Sequence, residues 1–231
     1  MKSWTLKIAL AFSMLMSTFL MAQIAPPVPP AIPVLPLVDP ANELKGAKLV
    51  DALRGGGYVL YMRHALQIPP TTEKCDTSNL TPVGEEQART VGAALRELKI
   101  PIGTLRSSQP CRNRDTARLL GLGPYEITDD LNPAGLREGF DVSAARRRQL
   151  QEVPPRGTNT LLVSHVHGSV KKEEWMHLEI AEIIVYRPDG KGASASTTPV
   201  ARVRVEGWAG LIELMQGQSP AKTAAPDRLS N

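Results

Sequence analysis

Two histidines and two arginines are the residues whose types and placement in this chain best suit chemistry. Arg63 and His64 directly follow one short apolar run, and His165 follows Ser164 at the end of another. Buried strands of open α/β sheets bring such end residues to the carboxyl edge, where ligands bind. Arg112 lies at an expected strand-to-helix junction, where a helix N-terminus and a guanidinium both favour phosphate oxygens. The four residues therefore predict one phosphate-sized pocket.

The elements that must position these residues alternate between strands and helices. The clearest helix has Thr81 as its N-cap and Pro82 in its first turn, and it should end near Lys99. The alternation predicts an α/β fold, a three-layer α/β/α sandwich around a mostly parallel central sheet. Helices are expected near residues 44–53, 81–99, 111–120 and 142–152, and strands near 58–62, 104–107, 126–131, 160–163, 179–186 and 200–208.

The N-terminal segment is typical of an export signal. Lys2 and Lys7 flank the start of an uncharged run over residues 8–22, which suits a signal peptide and is short for a membrane span. Cleavage is expected after Ala22, but Leu20 fits that cut poorly, so an uncleaved membrane anchor stays open. The predicted organisation is a signal peptide over residues 1–22, a Pro-rich linker over 23–40, a folded domain over 41–216 and a disordered tail over 217–231.

Composition limits the classes of partner. With 231 residues, of which 42% are hydrophobic, the chain can bury one sizeable core. The formal charge of +4 falls to about +2 without the signal peptide, and only 4% of residues are aromatic. A nucleic-acid partner is therefore not expected, whereas a small anionic ligand is. Membrane association is expected only if the N-terminal segment stays uncleaved.

The chain has only two cysteines, Cys75 and Cys111. In an exported protein two cysteines are compatible with one disulfide, and also with two unpaired, partly buried thiols. An oxidising compartment disfavours a free thiolate nucleophile, so neither is expected to be catalytic.

Four segments carry a resemblance to a known family. They are YMRHA (residues 61–65), NLTPVGEEQA (79–88), SSQPCRNRDTA (107–117) and LLVSHVHG (161–168). In this order and spacing they resemble the histidine phosphatase superfamily, also called phosphoglycerate mutase-like. The resemblance implies that family's fold and a metal-independent phosphomonoesterase that needs no cofactor and acts on a small phosphorylated substrate. Together with the N-terminal segment typical of an export signal, it predicts that this activity lies in the periplasm or outside the cell.

The resemblance also implies roles for individual residues. His64 would be the nucleophile that carries the phosphoryl group as a phosphohistidine. Arg63, Arg112 and His165 would bind the phosphoryl oxygens and stabilise the transition state. The general acid would be a carboxylate between the second arginine and the second histidine, for which Glu138 is the nearest match. Asp141, Glu126 and Asp129 in the same region stay open as alternatives.

Other residues qualify this interpretation. Ala65 stands where mutase-type members tend to have glycine, which favours a plain phosphomonoesterase over a sugar-phosphate mutase. His167 is either a pocket residue or structural, and His177 is taken as structural. The basic run 146–148 is expected to be a solvated helix face, and Trp175 and Trp208 to pack in the core or at a rim.

Two other functions stay open. One is a catalytically silent member of the same fold that binds phosphate or a partner protein. The other is a metal-dependent hydrolase in which His64, His165 and His167 join a carboxylate as ligands. Arginines beside two of those histidines would be poor neighbours for a cation.

Overall fold

Helices and strands alternate along the part of the chain that the computed structural model describes, which is residues 38–69, 75, 79–133, 142–165, 178–190 and 198–217. The strands are β1 (Val59–Arg63), β2 (Ile102–Ser107), β3 (Glu126–Ile127), β4 (Asn159–Ser164), β5 (Ile183–Arg187) and β6 (Thr198–Val203). The helices are α1 (Gly46–Gly55), α2 (Pro82–Glu97), α3 (Cys111–Leu119), α4 (Val142–Gln151) and α5 (Gly207–Gly217), with one turn of 3₁₀ helix at Asp129–Leu131.

The strands form a single sheet in the order β3-β2-β4-β1-β5-β6. The pairs β1–β4, β2–β4 and β2–β3 are parallel, while β5 is antiparallel to both of its neighbours. Arg63 pairs with Ser164, and Ser107 pairs with Val163, so β1, β4 and β2 end side by side. The mostly parallel sheet is confirmed, and its carboxyl edge gathers the residues that follow these three strands.

Side chains of successive β1 residues enter two different cores. Leu60 and Met62 belong to a cluster that includes residues of α1, α2, α3 and α5, whereas Val59 and Tyr61 pack with Leu150 of α4. The side chains of the first four β1 residues are fully buried, which is typical of a strand covered on both faces. The three-layer α/β/α sandwich is therefore confirmed, with α4 on the opposite face from the other helices.

Helix α2 begins as the sequence predicts. The Thr81 side chain accepts a hydrogen bond from the Gly84 amide at 3.0 Å, and Pro82 occupies the first position, where no amide hydrogen is required. The helix ends at Glu97, two residues short of the expected end.

The strand predicted over residues 126–131 is mostly wrong. Only Glu126 and Ile127 pair with β2, and the next residues form the 3₁₀ turn. Thr128 ends the strand because its hydroxyl accepts a hydrogen bond from the Asp130 amide at 3.3 Å, which satisfies the start of the turn. The strand predicted over residues 179–186 begins only at Ile183. Before it, the chain turns at Ala181, whose φ of 56° is not extended.

The strand predicted over residues 200–208 is wrong in its second half. β6 ends at Val203, the chain turns, and α5 follows, a helix that the sequence reading missed. Trp208, Leu211, Ile212 and Met215 recur at helical spacing and pack against the larger core cluster. Trp208 is fully buried, so its predicted packing role is confirmed.

Other predictions concern residues outside the described part of the chain. These are the signal peptide over residues 1–22, almost all of the Pro-rich linker over 23–40, the tail beyond Gly217 and the residues His177 and Trp175. Among the described helices, none is both long and apolar enough to cross a membrane.

Candidate active site

His64 directly follows β1 and is 5% exposed. Its Nδ1 lies 2.9 Å from the carbonyl oxygen of Ala65, and because a carbonyl can only accept, Nδ1 carries the hydrogen. The proton on Nδ1 leaves the lone pair of a neutral ring on Nε2. The backbone of β1 and the contact with Ala65 therefore fix which nitrogen can act as a nucleophile.

The surroundings of His64 also hold its ring neutral. Its pKa is lowered from the ordinary value of 6.5 to about 4, chiefly by burial and also by the positive charges of Arg112 and Arg63, against the opposing effect of the Ala65 hydrogen bond. A neutral imidazole is the form needed for attack on phosphorus.

His165 directly follows β4, and its ring centroid lies 5.8 Å from that of His64. Its Nε2 is 2.9 Å from the Ser108 hydroxyl oxygen, and that hydroxyl donates to the Asn132 side-chain oxygen at 2.9 Å. Because the Ser108 hydroxyl donates its hydrogen to Asn132, the hydroxyl oxygen must accept a hydrogen bond from His165. The hydrogen of the neutral His165 ring is therefore on Nε2. The other ring nitrogen, Nδ1, accepts from the Arg112 guanidinium at 3.4 Å.

The chain of hydrogen bonds behind His165 continues to the edge of the sheet. The Asn132 side-chain nitrogen donates to the Asp129 carboxylate at 3.2 Å, and its oxygen also accepts from the Gln109 amide at 2.9 Å. These contacts hold the His165 ring in one orientation. Ser108 and Asn132 were not predicted as site residues, although Ser108 directly follows β2 at the same sheet edge as the two histidines.

Arg63 and Arg112 approach the histidines from different elements. Arg63 is the last residue of β1 and donates to the Leu178 carbonyl at 2.7 Å. Burial lowers its pKa, and the negative charge of Glu179 partly opposes this effect. Arg112 lies in the first turn of α3, where the helix N-terminus adds its own attraction for anions.

The solvated helix face predicted for residues 146–148 is wrong for Arg146. Its side chain on α4 is 6% exposed and donates to the Asn132 carbonyl at 3.5 Å, whereas Arg148 is exposed. The pKa of His165 is lowered to about 2, chiefly by burial and then by the charge of Arg112, and Arg146 makes a smaller contribution of the same sign. A guanidinium that the sequence placed on the surface therefore contributes positive potential behind the site.

One cavity of about 500 Å³ collects the predicted phosphate-binding residues. The side chains that line it are Arg63, His64, Leu66, Gln67, Pro69, Arg112, Pro133, His165 and Ile180. The spatial prediction made for Arg63, His64, Arg112 and His165 is thus met, because residues from β1, α3 and the end of β4 share one opening.

The expected general acid, Glu138, and the possible pocket residue His167 lie outside the described residues, as does Asp141. The alternatives that the structure does describe are engaged elsewhere. Glu126 is exposed and pairs with Arg106 at 3.3 Å, and Asp129 accepts from Asn132. Within the described part of the chain, no carboxylate lines the cavity.

The alternative function as a metal-dependent hydrolase requires a group of side chains arranged as metal ligands. Among residues that the structure describes, no group of three or more His, Cys, Asp or Glu side chains is arranged to hold one. Both ring nitrogens of His165 already contact Ser108 and Arg112. Those contacts suit an anion beside the ring better than a cation.

Cys75 and Cys111 form a disulfide, which is one of the two alternatives left open by the sequence. Cys111 is the first residue of α3 and is adjacent to Arg112, while Cys75 lies in the segment between β1 and α2. The bond therefore ties that segment to the element that carries a phosphate-binding guanidinium.

Reduction of this disulfide is expected to destabilise the protein. The bond closes a 36-residue separation, for which loop-closure entropy predicts a loss of about 4 kcal/mol. Urea unfolding with and without dithiothreitol measures the loss, and the Cys75→Ser/Cys111→Ser variant provides the control because it should not respond to the reductant. Equal stability of oxidised and reduced wild-type protein would contradict the expectation.

Part of the chain matches a known protein family. The family described as "Histidine phosphatase superfamily (branch 1)" matches residues 59–154. The resemblance to the histidine phosphatase superfamily is confirmed. The match includes His64 and Arg112 and ends before His165, which the sheet register brings to the same site. No curated protein sequence matched the chain.

Several solved structures are similar to this chain. The protein histidine phosphatase SixA complexed with tungstate is 18% identical, with a TM-score of 0.48 over 64% of this chain and 97% of that one. A phosphoserine phosphatase mutant from Entamoeba histolytica is 14% identical, with a TM-score of 0.43 over 65% and 98%. A mycobacterial glucosyl-3-phosphoglycerate phosphatase is 14% identical, with a TM-score of 0.44 over 62% and 96%.

The ring of His64 is expected to stay neutral at mildly acidic pH. Because its pKa is lowered to about 4, it should gain a proton only as the pH falls through that value, and not near 6.5. Nitrogen-15 NMR of histidine-labelled protein would show Nδ1 protonated and Nε2 unprotonated at pH 6. The His64→Gln variant identifies the signal, and a midpoint near pH 6.5 would contradict the lowered pKa.

Proposed function

We propose that this protein is an exported phosphomonoesterase that works through a phosphohistidine intermediate on His64 and requires no metal ion. The observation that carries the proposal is the state of the His64 ring. Its hydrogen is on Nδ1, its Nε2 lone pair is available, and it shares one cavity with Arg63, Arg112 and His165. Membership of the matched residues in a phosphatase superfamily supports the same reaction.

The reaction has two displacement steps. In the first, His64 Nε2 attacks phosphorus, the N–P bond forms, and the P–O bond to the alcohol breaks. Glu138 gives its proton to the departing alcohol oxygen. In the second, Glu138 takes a proton from water, the water oxygen attacks phosphorus, and cleavage of the N–P bond releases inorganic phosphate and restores His64.

The guanidiniums supply the positive charge that the phosphoryl oxygens require. Arg63 and Arg112 line the cavity, and Arg146 adds potential from behind His165. A bound dianion beside His165 would favour the protonated imidazole, so that Nδ1 could donate to a phosphoryl oxygen instead of accepting from Arg112. These charges take the place that a metal ion has in other phosphatases.

The test is to trap the intermediate on the full-length protein. Incubation with a ³²P-labelled aryl phosphate, followed by rapid alkaline quenching, should give a labelled protein whose label is stable in alkali and lost in acid. EDTA should not reduce labelling, and vanadate should prevent it. Hydrolysis without label, or labelling that needs a divalent metal, would refute the mechanism. Phosphate binding without hydrolysis of a broad ester panel would favour the catalytically silent alternative.

Export is part of the proposal and has a separate test. A disulfide between Cys75 and Cys111 suits an oxidising compartment, which supports passage across the membrane. In a bacterial host, the full chain is expected in the periplasm with its cysteines oxidised, whereas a chain that begins at residue 23 should stay inside with reduced cysteines. Fractionation and alkylation of free thiols measure both properties. Cytoplasmic retention of the full chain would refute export.

A further inference from the structure

The cavity around His64 has an apolar rim beside its charged floor. Beyond the four phosphate-binding residues, its lining consists of Leu66, Pro69, Pro133 and Ile180, with Gln67 as a neutral amide. Leu66 keeps 36% of its surface exposed, although transfer of a large apolar side chain out of water lowers the free energy. An apolar surface next to a reactive centre is typical of a ligand-binding pocket.

Leu66 is held in place by its backbone. Its carbonyl accepts from the Thr81 amide at 2.9 Å, and its amide donates to the Gln87 side chain at 3.2 Å. Helix α2 approaches so closely that a β-carbon at Gly84 would lie 2.1 Å from the Leu66 carbonyl oxygen. Leu66 is therefore in place before any ligand arrives, which lowers the entropic cost of binding against it.

The charged side chains of the described lining already have a role in binding the phosphoryl group. Arg63 and Arg112 are the guanidiniums that face a phosphoryl group, and no Lys, Asp or Glu lines the cavity among the residues that the structure describes. A sugar or an amino acid would bring hydroxyl, ammonium or carboxylate groups. Desolvation of such groups without hydrogen-bond or charge partners raises the free energy of the complex. Gln67 is the single uncharged polar side chain that the described rim offers to such groups.

We propose that this site selects phosphomonoesters with an apolar alcohol portion, such as alkyl or aryl phosphates, over phosphorylated sugars and amino acids. This inference rests on the proposed function, because the selected esters are substrates only if the protein is a phosphomonoesterase. The phosphoryl group binds to the arginines, and the hydrocarbon portion lies against Leu66, Ile180 and the two prolines.

Binding of n-alkylphosphonates to the full chain tests the rim without turnover. From methyl- to hexylphosphonate, the Kd measured by calorimetry should fall about two- to fourfold for each added methylene that the rim covers. In Leu66→Asn and Ile180→Asn the dependence on chain length should flatten, while the Kd for methylphosphonate stays within twofold. Leu66→Met, which keeps an apolar side chain of similar volume, should retain the dependence.

Three results would overturn the proposal. They are a Kd that does not depend on chain length, a Leu66→Asn variant that keeps the full dependence, and tighter binding of 2-aminoethylphosphonate than of propylphosphonate. Measurements of hydrolysis distinguish failure of this inference from failure of the proposed function. A chain-length dependence in binding without hydrolysis of hexyl phosphate supports the rim and refutes the phosphatase, whereas equal kcat/KM for hexyl and glucose phosphates supports the phosphatase and refutes the rim.

Discussion

Replacement of His64 by asparagine is expected to lower kcat/KM for phosphomonoester hydrolysis by at least about 10⁴-fold, because the only attacking nitrogen is removed. Asparagine is the best replacement at this position because it removes the nucleophile and can keep the local hydrogen bond. Its side-chain NH₂ can still donate to the Ala65 carbonyl, as Nδ1 of His64 does, so the local hydrogen bond is preserved. The variant should therefore fold and fail at the chemical step.

The measurements for this variant are steady-state kinetics, phosphate binding and thermal unfolding. Inorganic phosphate should bind within a few-fold of wild type, because Arg63 and Arg112 are unchanged. Arg112→Ala provides a contrast, since it should weaken phosphate binding, and Arg118→Ala on the same helix is its control because Arg118 is exposed and pairs only with Asp115 among the described contacts. A His64→Asn enzyme with more than about a hundredth of wild-type activity would refute the nucleophilic role.

Replacement of Gly92 by alanine is expected to cause the largest loss of stability among single methyl additions. Gly92 lies in the middle of α2, where a β-carbon would be 1.8 Å from the Leu120 carbonyl oxygen at the end of α3. Neither backbone can give way without separating the two helices, so we expect a loss of about 3 kcal/mol or more. Urea unfolding measures it through the transition midpoint.

Gly210→Ala is the matched control for Gly92→Ala. Gly210 is also inside a helix, α5, but nothing lies within 4 Å of the β-carbon that alanine would add. Because alanine has the better helix propensity, this variant should be as stable as wild type or gain up to about 1 kcal/mol. Similar midpoints for the two variants would show that the close approach of α2 and α3 is not a constraint.

The sequence predicted the parts of the site that depend on local pattern. An apolar run that ends in Arg63 and His64 identifies a buried strand and its carboxyl end, and another run does the same for His165. The start of α2 was predictable because the Thr81 cap and Pro82 act within one turn. In each case the signal and its structural effect lie within a few residues of one another.

The features that were missed depend on contacts between distant segments. Nothing near Arg146 in the sequence distinguishes it from Arg148, and only the packing of α4 against the sheet buries one and exposes the other. The contact of Ser108 with His165 and Asn132 joins three segments of the chain. Helix α5 was missed because Trp208 and its neighbours are as apolar as a strand, so only the turn after Val203 distinguishes the two elements.

The side-by-side placement of β1 and β4 has an evolutionary consequence. His64 and His165 are each the first residue after one of two hydrogen-bonded neighbouring strands, so the ladder of backbone bonds sets the spacing of their backbones. No single exchange of a side chain can change that backbone spacing. Divergence among related proteins should therefore leave the placement of the two histidines unchanged and accumulate in loops such as the one that carries Leu66 and Pro69, where new ligands can be accommodated at little cost to the fold.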